Sequence, residues 1–340
     1  MGRRSRIRRW ARWGLGIAGG LLGLEVVSAL WLPAPWPDRT PLVAVEPDPA
    51  LGYRLVPAQA SFTYQAEVHT NAEGLRERPL ERLPGPRVLV LGGSETFGKG
   101  VAAAETFARR VEASLHGGAH TVNAGVPDWS LGQSAAFLEQ RGAALSPTGV
   151  VLALYWDDLF TGAAGAAREE WGPRRWARDL GVLPRLAPLY TRSRLLMAAR
   201  NAAKAASHRL GGTAWYRWRE ALLTGGQEPD LELAWARAQV DLQRVADASA
   251  ALGAWAVVLI LPIEEQVVGE YPQASFQSEA RRRAEAAGLR VVDPLPALRR
   301  AAAAGEVLFI PYDGRPAAAG HQVLAEVLGA ALADYQQTPR

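Results

Sequence analysis

A serine stands where the pattern predicts that a strand gives way to a helix. The stretch Val88-Leu-Val-Leu-Gly92-Gly93-Ser94-Glu-Thr-Phe-Gly98-Lys-Gly100-Val101 is a short apolar run, two glycines, the serine and a helix start. Glycines permit a tight strand-to-helix turn, and such a turn can lift a hydroxyl to the carboxyl edge of a sheet. N–H groups at the helix start could stabilise an oxyanion there. The same serine could equally serve as the cap of the helix, and this segment alone does not decide between nucleophile and cap. Composition narrows the remaining chemistry. The chain has no cysteine, which excludes disulfides, thiol catalysis and cysteine-ligated metals. Of its five histidines, His69, His116, His120 and His208 stand in no motif. No His-rich or acidic cluster has metal-ligand spacing, so neither metal nor cofactor is expected.

A turn of this kind needs a sheet to end on. Five apolar runs, 87–91 (RVLVL), 120–124 (HTVNA), 149–155 (GVVLALY), 255–261 (WAVVLIL) and 289–292 (LRVV), are continuous rather than alternating, as in strands buried on both faces. Helical patterns fall between and after them at 102–115, 132–144, 231–252, 277–287, 295–304 and 321–335. Such alternation predicts an α/β fold: a three-layer, doubly wound, flavodoxin-like parallel sheet of five strands. Residues 51–82 precede the first strand and should pack across the domain. Residues 160–228 form an insertion rich in Trp and Arg, including Trp171, Trp176, Trp215 and Trp218. It reads as a helical cap on the core, with a lid or a lipid-facing surface as the alternatives.

The 340 residues are 49% hydrophobic and 21% charged, ordinary for a globular chain. The net charge of +4 is concentrated in Arg3, Arg4, Arg6, Arg8, Arg9 and Arg12, so the basic balance does not point to nucleic acid. Residues 1–12 read as a basic cytoplasmic segment and 13–32 as a transmembrane anchor, with Trp10, Trp13, Trp31 and Trp36 near its ends. A cleaved signal peptide is the alternative, with Val27 and Ala29 as its small residues. Glu25 is the odd residue, because a carboxylate in lipid must be neutralised, paired or near the surface. Residues 33–50 are Pro-rich and predict a stiff spacer lifting domain 51–340 off the membrane.

Four blocks together resemble the SGNH (GDSL-type) hydrolases, and in particular membrane-anchored bacterial members. The serine turn is similar to the family's first block, with Gly93 where Asp is usual. Val122-Asn-Ala-Gly125-Val-Pro-Asp-Trp-Ser resembles the second, which implies the Gly125 N–H as an oxyanion donor. Ala153-Leu-Tyr-Trp-Asp157-Asp158-Leu159 resembles the third, where the family has Asn-Asp and this chain has Asp157. Pro311-Tyr-Asp313-Gly-Arg315-Pro-Ala-Ala-Ala-Gly320-His321 resembles the last, where the family's general base is the histidine replaced by Arg315. The lead-ins Gly52-Tyr-Arg and Thr70-Asn71-Ala-Glu-Gly74-Leu-Arg76 match as well.

The departures oppose catalysis. A guanidinium stays charged and takes no proton from a serine. An ionised Asp157 would repel an oxyanion unless its pKa were raised enough to keep it protonated. His321 is the candidate substitute base, Asp313 or Asp158 a weaker one because a free carboxylate is a poor base, and an Arg315–Asp157 ion pair would fill the catalytic gap. Three functions follow. One is a serine esterase or O-acyl transferase acting on acylated envelope glycans or lipids. The second is a catalytically inactive domain that binds a glycan or an envelope protein partner. The third is a structural membrane-proximal protein. The anchor implies a membrane location, with the C-terminal domain periplasmic or extracellular.

Overall fold

The computed structural model describes residues 3–160, 191–211 and 214–337. Two antiparallel hairpins come first: β1 (Val45–Asp48) with β2 (Gly52–Leu55), and β3 (Ala60–Thr63) with β4 (Ala66–His69). Then β5 (Arg87–Leu91), β6 (His120–Asn123), β7 (Gly149–Leu154), β8 (Trp255–Ile260) and β9 (Arg290–Val292) form one parallel sheet. Its order is β6-β5-β7-β8-β9. The five apolar runs are these five strands, each within a residue or two of its predicted bounds.

Alternate residues of each strand feed opposite cores. Leu89, Leu91, Leu152, Leu154, Val258 and Ile260 face one layer, with the helices Leu131–Leu145, Pro229–Ala251 and Ser275–Ala286. Val88, Val90, Val151, Ala153, Val257 and Leu259 face the other, with Phe107–Arg110, Leu295–Ala303 and Ala318–Gln337. At roughly 1.5–3 kcal/mol for each fully buried aliphatic side chain, these two layers outweigh any single polar contact. The order reverses between β5 and β7, where a doubly wound sheet opens a crevice at the carboxyl ends of its strands. Ser94 follows β5 and Asp157 follows β7, so both stand at that switch point.

Three expectations change. The predicted helix 102–115 is three short pieces, Ala103–Glu105, Phe107–Arg110 and Val111–Ser114, broken where Thr106 caps the second with its hydroxyl on Arg109 N–H (3.2 Å). The N-terminal segment is helical over Arg3–Ser28, but no helix among the described residues is long and apolar enough to cross a membrane. The helix stops at Ser28 instead of Leu32, and Glu25 and five glycines dilute its apolar run. The Pro-rich segment does not lift the domain away. Tyr312 Oη donates to Pro33 O (3.1 Å), Gln65 Nε2 to Pro37 O (2.6 Å) and Phe62 N to Pro41 O (2.7 Å). Trp36 meets the Tyr64 ring edge-on at 6.2 Å, and the segment's last residues form β1.

In the insertion, Trp171 and Trp176 lie outside the described residues. Trp218 stacks on Phe160, itself the first residue of the insertion, with centroids 4.9 Å apart.

Candidate active site

The serine turn is built by close approach. Gly92 has φ +149, and a Cβ there would lie 2.3 Å from Thr96 Oγ1 and 2.8 Å from Ala153 O. At Gly93 a Cβ would lie 2.9 Å from Asp158 Oδ1 and 3.3 Å from Trp129 O. The space an aspartate would need at position 93 is thus held by Asp158, whose Oδ2 accepts from Tyr155 N–H at 2.8 Å. Ser94 then opens the short helix Ser94–Phe97.

The lead-in holds this turn from behind. Asn71 Oδ1 accepts from Glu73 N–H (3.1 Å) and Leu75 N–H (2.9 Å), folding the chain so that Arg76 points inward. The buried Arg76 guanidinium donates to Phe97 O (2.9 Å), Gly98 O (2.7 Å), Val101 O (2.7 Å) and Glu67 O (3.0 Å). Burial pushes its pKa down to about 10.

Ser94 is 4% exposed. Its Oγ donates to Asp128 Oδ1 at 3.2 Å and accepts from Asp128 N–H at 3.1 Å. Asp128 has φ +60, which Asp tolerates in turns better than most residues, and its side chain is 64% exposed. It lies over the serine like a cover. The N–H facing Ser94 is therefore that of Asp128. The Gly125 N–H, which the resemblance implied as donor, is instead donated to Asn123 Oδ1 at 3.0 Å, while Asn123 Nδ2 donates to Thr96 O at 2.9 Å. Gly125 has a packing reason, since a Cβ there would lie 2.3 Å from Phe97 N.

Arg315, which the resemblance sets at the family's base position, is held by carboxylates. Its Nη1 donates to Asp313 Oδ1 at 2.8 Å, its Nε stands 3.4 Å from Glu95 Oε1, and its Nη2 stands 3.9 Å from Asp128 Oδ1. Asp157 is absent from the described ion pairs of Arg315, so the expected Arg315–Asp157 pair gives way to Asp313, Glu95 and Asp128. Asp313 also accepts from Tyr64 Oη and faces Lys99 Nζ at 3.6 Å. Burial alone would raise Asp313, but the Arg315 and Lys99 charges outweigh it and hold the carboxyl well below the usual carboxylate range. Burial pushes Glu95 up, with Arg315 pulling the other way. For Arg315, burial disfavours the charge, but Asp313 and Glu95 reverse that and hold it firmly protonated.

Burial, reinforced by Glu95, pushes Asp157 up to about 8. That shift favours the neutral carboxyl, the form that does not repel an oxyanion. A raised carboxyl stabilises the fold in full below the unfolded pKa, about 4, and that contribution is lost as pH rises through about 8. Asp157→Asn is accordingly expected to gain stability relative to the native chain as pH rises from 5 to 8, read by thermal unfolding. Parallel curves over that range would contradict it.

His321 is not brought to Ser94. It is buried, its Nδ1 accepts from Phe107 N–H at 3.1 Å, and its ring stacks on Phe107 at 5.8 Å. Burial first, then Arg110 and Arg76, push its pKa down to about 3, so it stays neutral as a helix cap. Gly320 beside it is likewise structural, because a Cβ would lie 2.3 Å from Leu308 O. The sequence reading missed Asp128 and Glu95. Pro127-Asp128 is a turn signal, but nothing local announces a contact 34 residues back to Ser94. No group of three or more potential metal ligands occurs among the described residues.

The sheet order and the serine turn at its switch point define a three-layer, doubly wound α/β domain, the fold that the resemblance implied. No family model and no curated protein matches the chain. Among solved structures, TesA is 16% identical, covering 73% of this chain and 98% of its own, with a TM-score of 0.43. A lipolytic protein of the G-D-S-L family from Veillonella parvula is 12% identical over 75% of this chain and 100% of its own, with a TM-score of 0.41. A catalytic mutant of the acetylxylan esterase Axe2 from Geobacillus stearothermophilus is 15% identical over 72% and 92%, also at 0.41.

Proposed function

We propose that this chain is an SGNH-fold protein that no longer hydrolyses esters and instead binds a glycan or a protein partner at the cell envelope. One observation carries the reading: Ser94 is buried beneath Asp128, and the base position holds Arg315, fixed by Asp313 at 2.8 Å. A serine hydroxyl attacks only when a neighbouring group takes its proton, and losing a triad base lowers the rate by several orders of magnitude. The Arg-rich helix Arg3–Ser28 would hold the domain at a membrane.

The test is turnover of an activated acetyl ester by the native chain and by Ser94→Ala. Equal rates are expected, and a Ser94-dependent rate would overturn the proposal. Asp128 Oδ1 at 3.2 Å favours a second reading, a serine esterase or O-acyl transferase with a carboxylate base. On that reading Asp128→Asn would abolish the Ser94-dependent rate.

A further inference from the structure

Glu25 is the single acid in two otherwise basic helices. Arg3–Ser28 carries six arginines before it and no other Asp or Glu, and Arg194–Gly211 carries Arg194, Arg200, Lys204 and Arg209 with no acid at all. The Glu25 carboxylate reaches across to the start of the second helix. Oε1 accepts from Arg194 N–H at 2.6 Å, and Oε2 accepts from Ser193 Oγ at 2.7 Å and Leu195 N–H at 3.4 Å. Ser193 Oγ in turn accepts from Leu196 N–H at 3.1 Å. The free N–H groups of that first turn are thereby satisfied, and a carboxylate sits where the helix dipole favours it.

Both helices leave apolar side chains uncovered. Trp10, Trp13, Leu22, Leu30 and Trp31 are exposed on and just after the first, and Leu196 on the second, where Ala199 and Ala203 continue the same exposed face. The Pro33–Tyr312 hydrogen bond and the Trp36–Tyr64 contact bind this pair to the loop that carries Asp313 and Arg315.

We propose that Arg3–Ser28 and Arg194–Gly211 form one unit lying in the surface of an anionic bilayer, locked by Glu25, which sets the Ser94 edge of the sheet beside the membrane. The occupant follows from charge and shape. Two helix sequences rich in arginine, whose one acid is capped, complement anionic headgroups, exposed apolar side chains enter the acyl boundary, and indoles favour the interface. Capping removes the one carboxylate that would oppose this. The proposal rests on the membrane location put forward above, but not on the absence of hydrolysis.

The test is amide hydrogen exchange of the full chain with phosphatidylcholine vesicles, with and without phosphatidylglycerol. Exchange in both helices is expected to slow by about tenfold or more, and only with the anionic vesicles. Glu25→Ala should keep the protection of Arg3–Ser28 and lose that of Arg194–Gly211. Glu25 lies outside the sheet domain, so the melting of that domain should be unchanged. Protection of Arg3–Ser28 alone in the native chain would overturn the two-helix unit while leaving the membrane location standing. Protection of neither helix would overturn both. Equal protection without vesicles, rising with protein concentration, would mean that a second copy covers the surface and would overturn the bilayer as occupant. Unchanged protection in Glu25→Ala would overturn the role of Glu25.

Discussion

Arg76→Met is expected to lower the unfolding free energy by about 3–5 kcal/mol, one of the largest single effects in the chain. The guanidinium is 2% exposed and binds four backbone carbonyls, three of them in the turn and loop that follow Ser94. Methionine fills part of the volume but donates nothing. Several buried acceptors then lose their partner, and each unsatisfied one costs about 1–3 kcal/mol. Arg76→Lys should fall close to the methionine variant, because one ammonium cannot fork toward carbonyls on opposite sides. Urea unfolding measures both. A methionine variant within about 1 kcal/mol of the native chain would mean that the lead-in does not hold the serine turn.

Arg315→Leu is expected to cost about 3–5 kcal/mol at pH 7, because the buried Glu95 loses its cation and the buried Asp313 keeps only Lys99 at 3.6 Å. The loss should depend on pH with a definite sign. In the native chain the carboxyl of Asp313 is depressed, so its contribution is present above the unfolded pKa, about 4, and is lost as pH falls below it. The variant lacks the Arg315 share of that contribution, the larger one. The gap between native and variant should therefore be widest near neutrality and shrink toward pH 3. Urea midpoints at several pH values read this directly, and a gap independent of pH would contradict the cage around Arg315.

The fold was legible because its signals are local. The five continuous apolar runs became the five parallel strands, and the serine turn fell at the reversal of strand order. What misled were features decided at a distance. The N-terminal prolines suggested a free spacer, but Trp36 and Pro33 find partners at Tyr64 and Tyr312. Glu25 looked like a fault in an anchor, and its partners lie in a helix whose place no periodicity reveals. The same holds at the site. Arg315 and Asp157 were readable as departures from the motif, but not the ion pairs that Arg315 makes. Glu95 is a charged residue one position after Ser94, and its burial depends on a guanidinium contributed from the last loop. Asp128 needed both a left-handed backbone and a contact across two strands.

Covalent labelling of Ser94 by a fluorophosphonate, followed by intact mass and peptide mapping, tests most directly whether this serine is a working nucleophile. Such reagents modify a serine whose proton a base removes and whose oxyanion is stabilised. With Ser94 covered by Asp128 and the base position filled by Arg315, no label is expected at Ser94 in the native chain. Stoichiometric modification of Ser94 would contradict the proposed loss of hydrolysis outright.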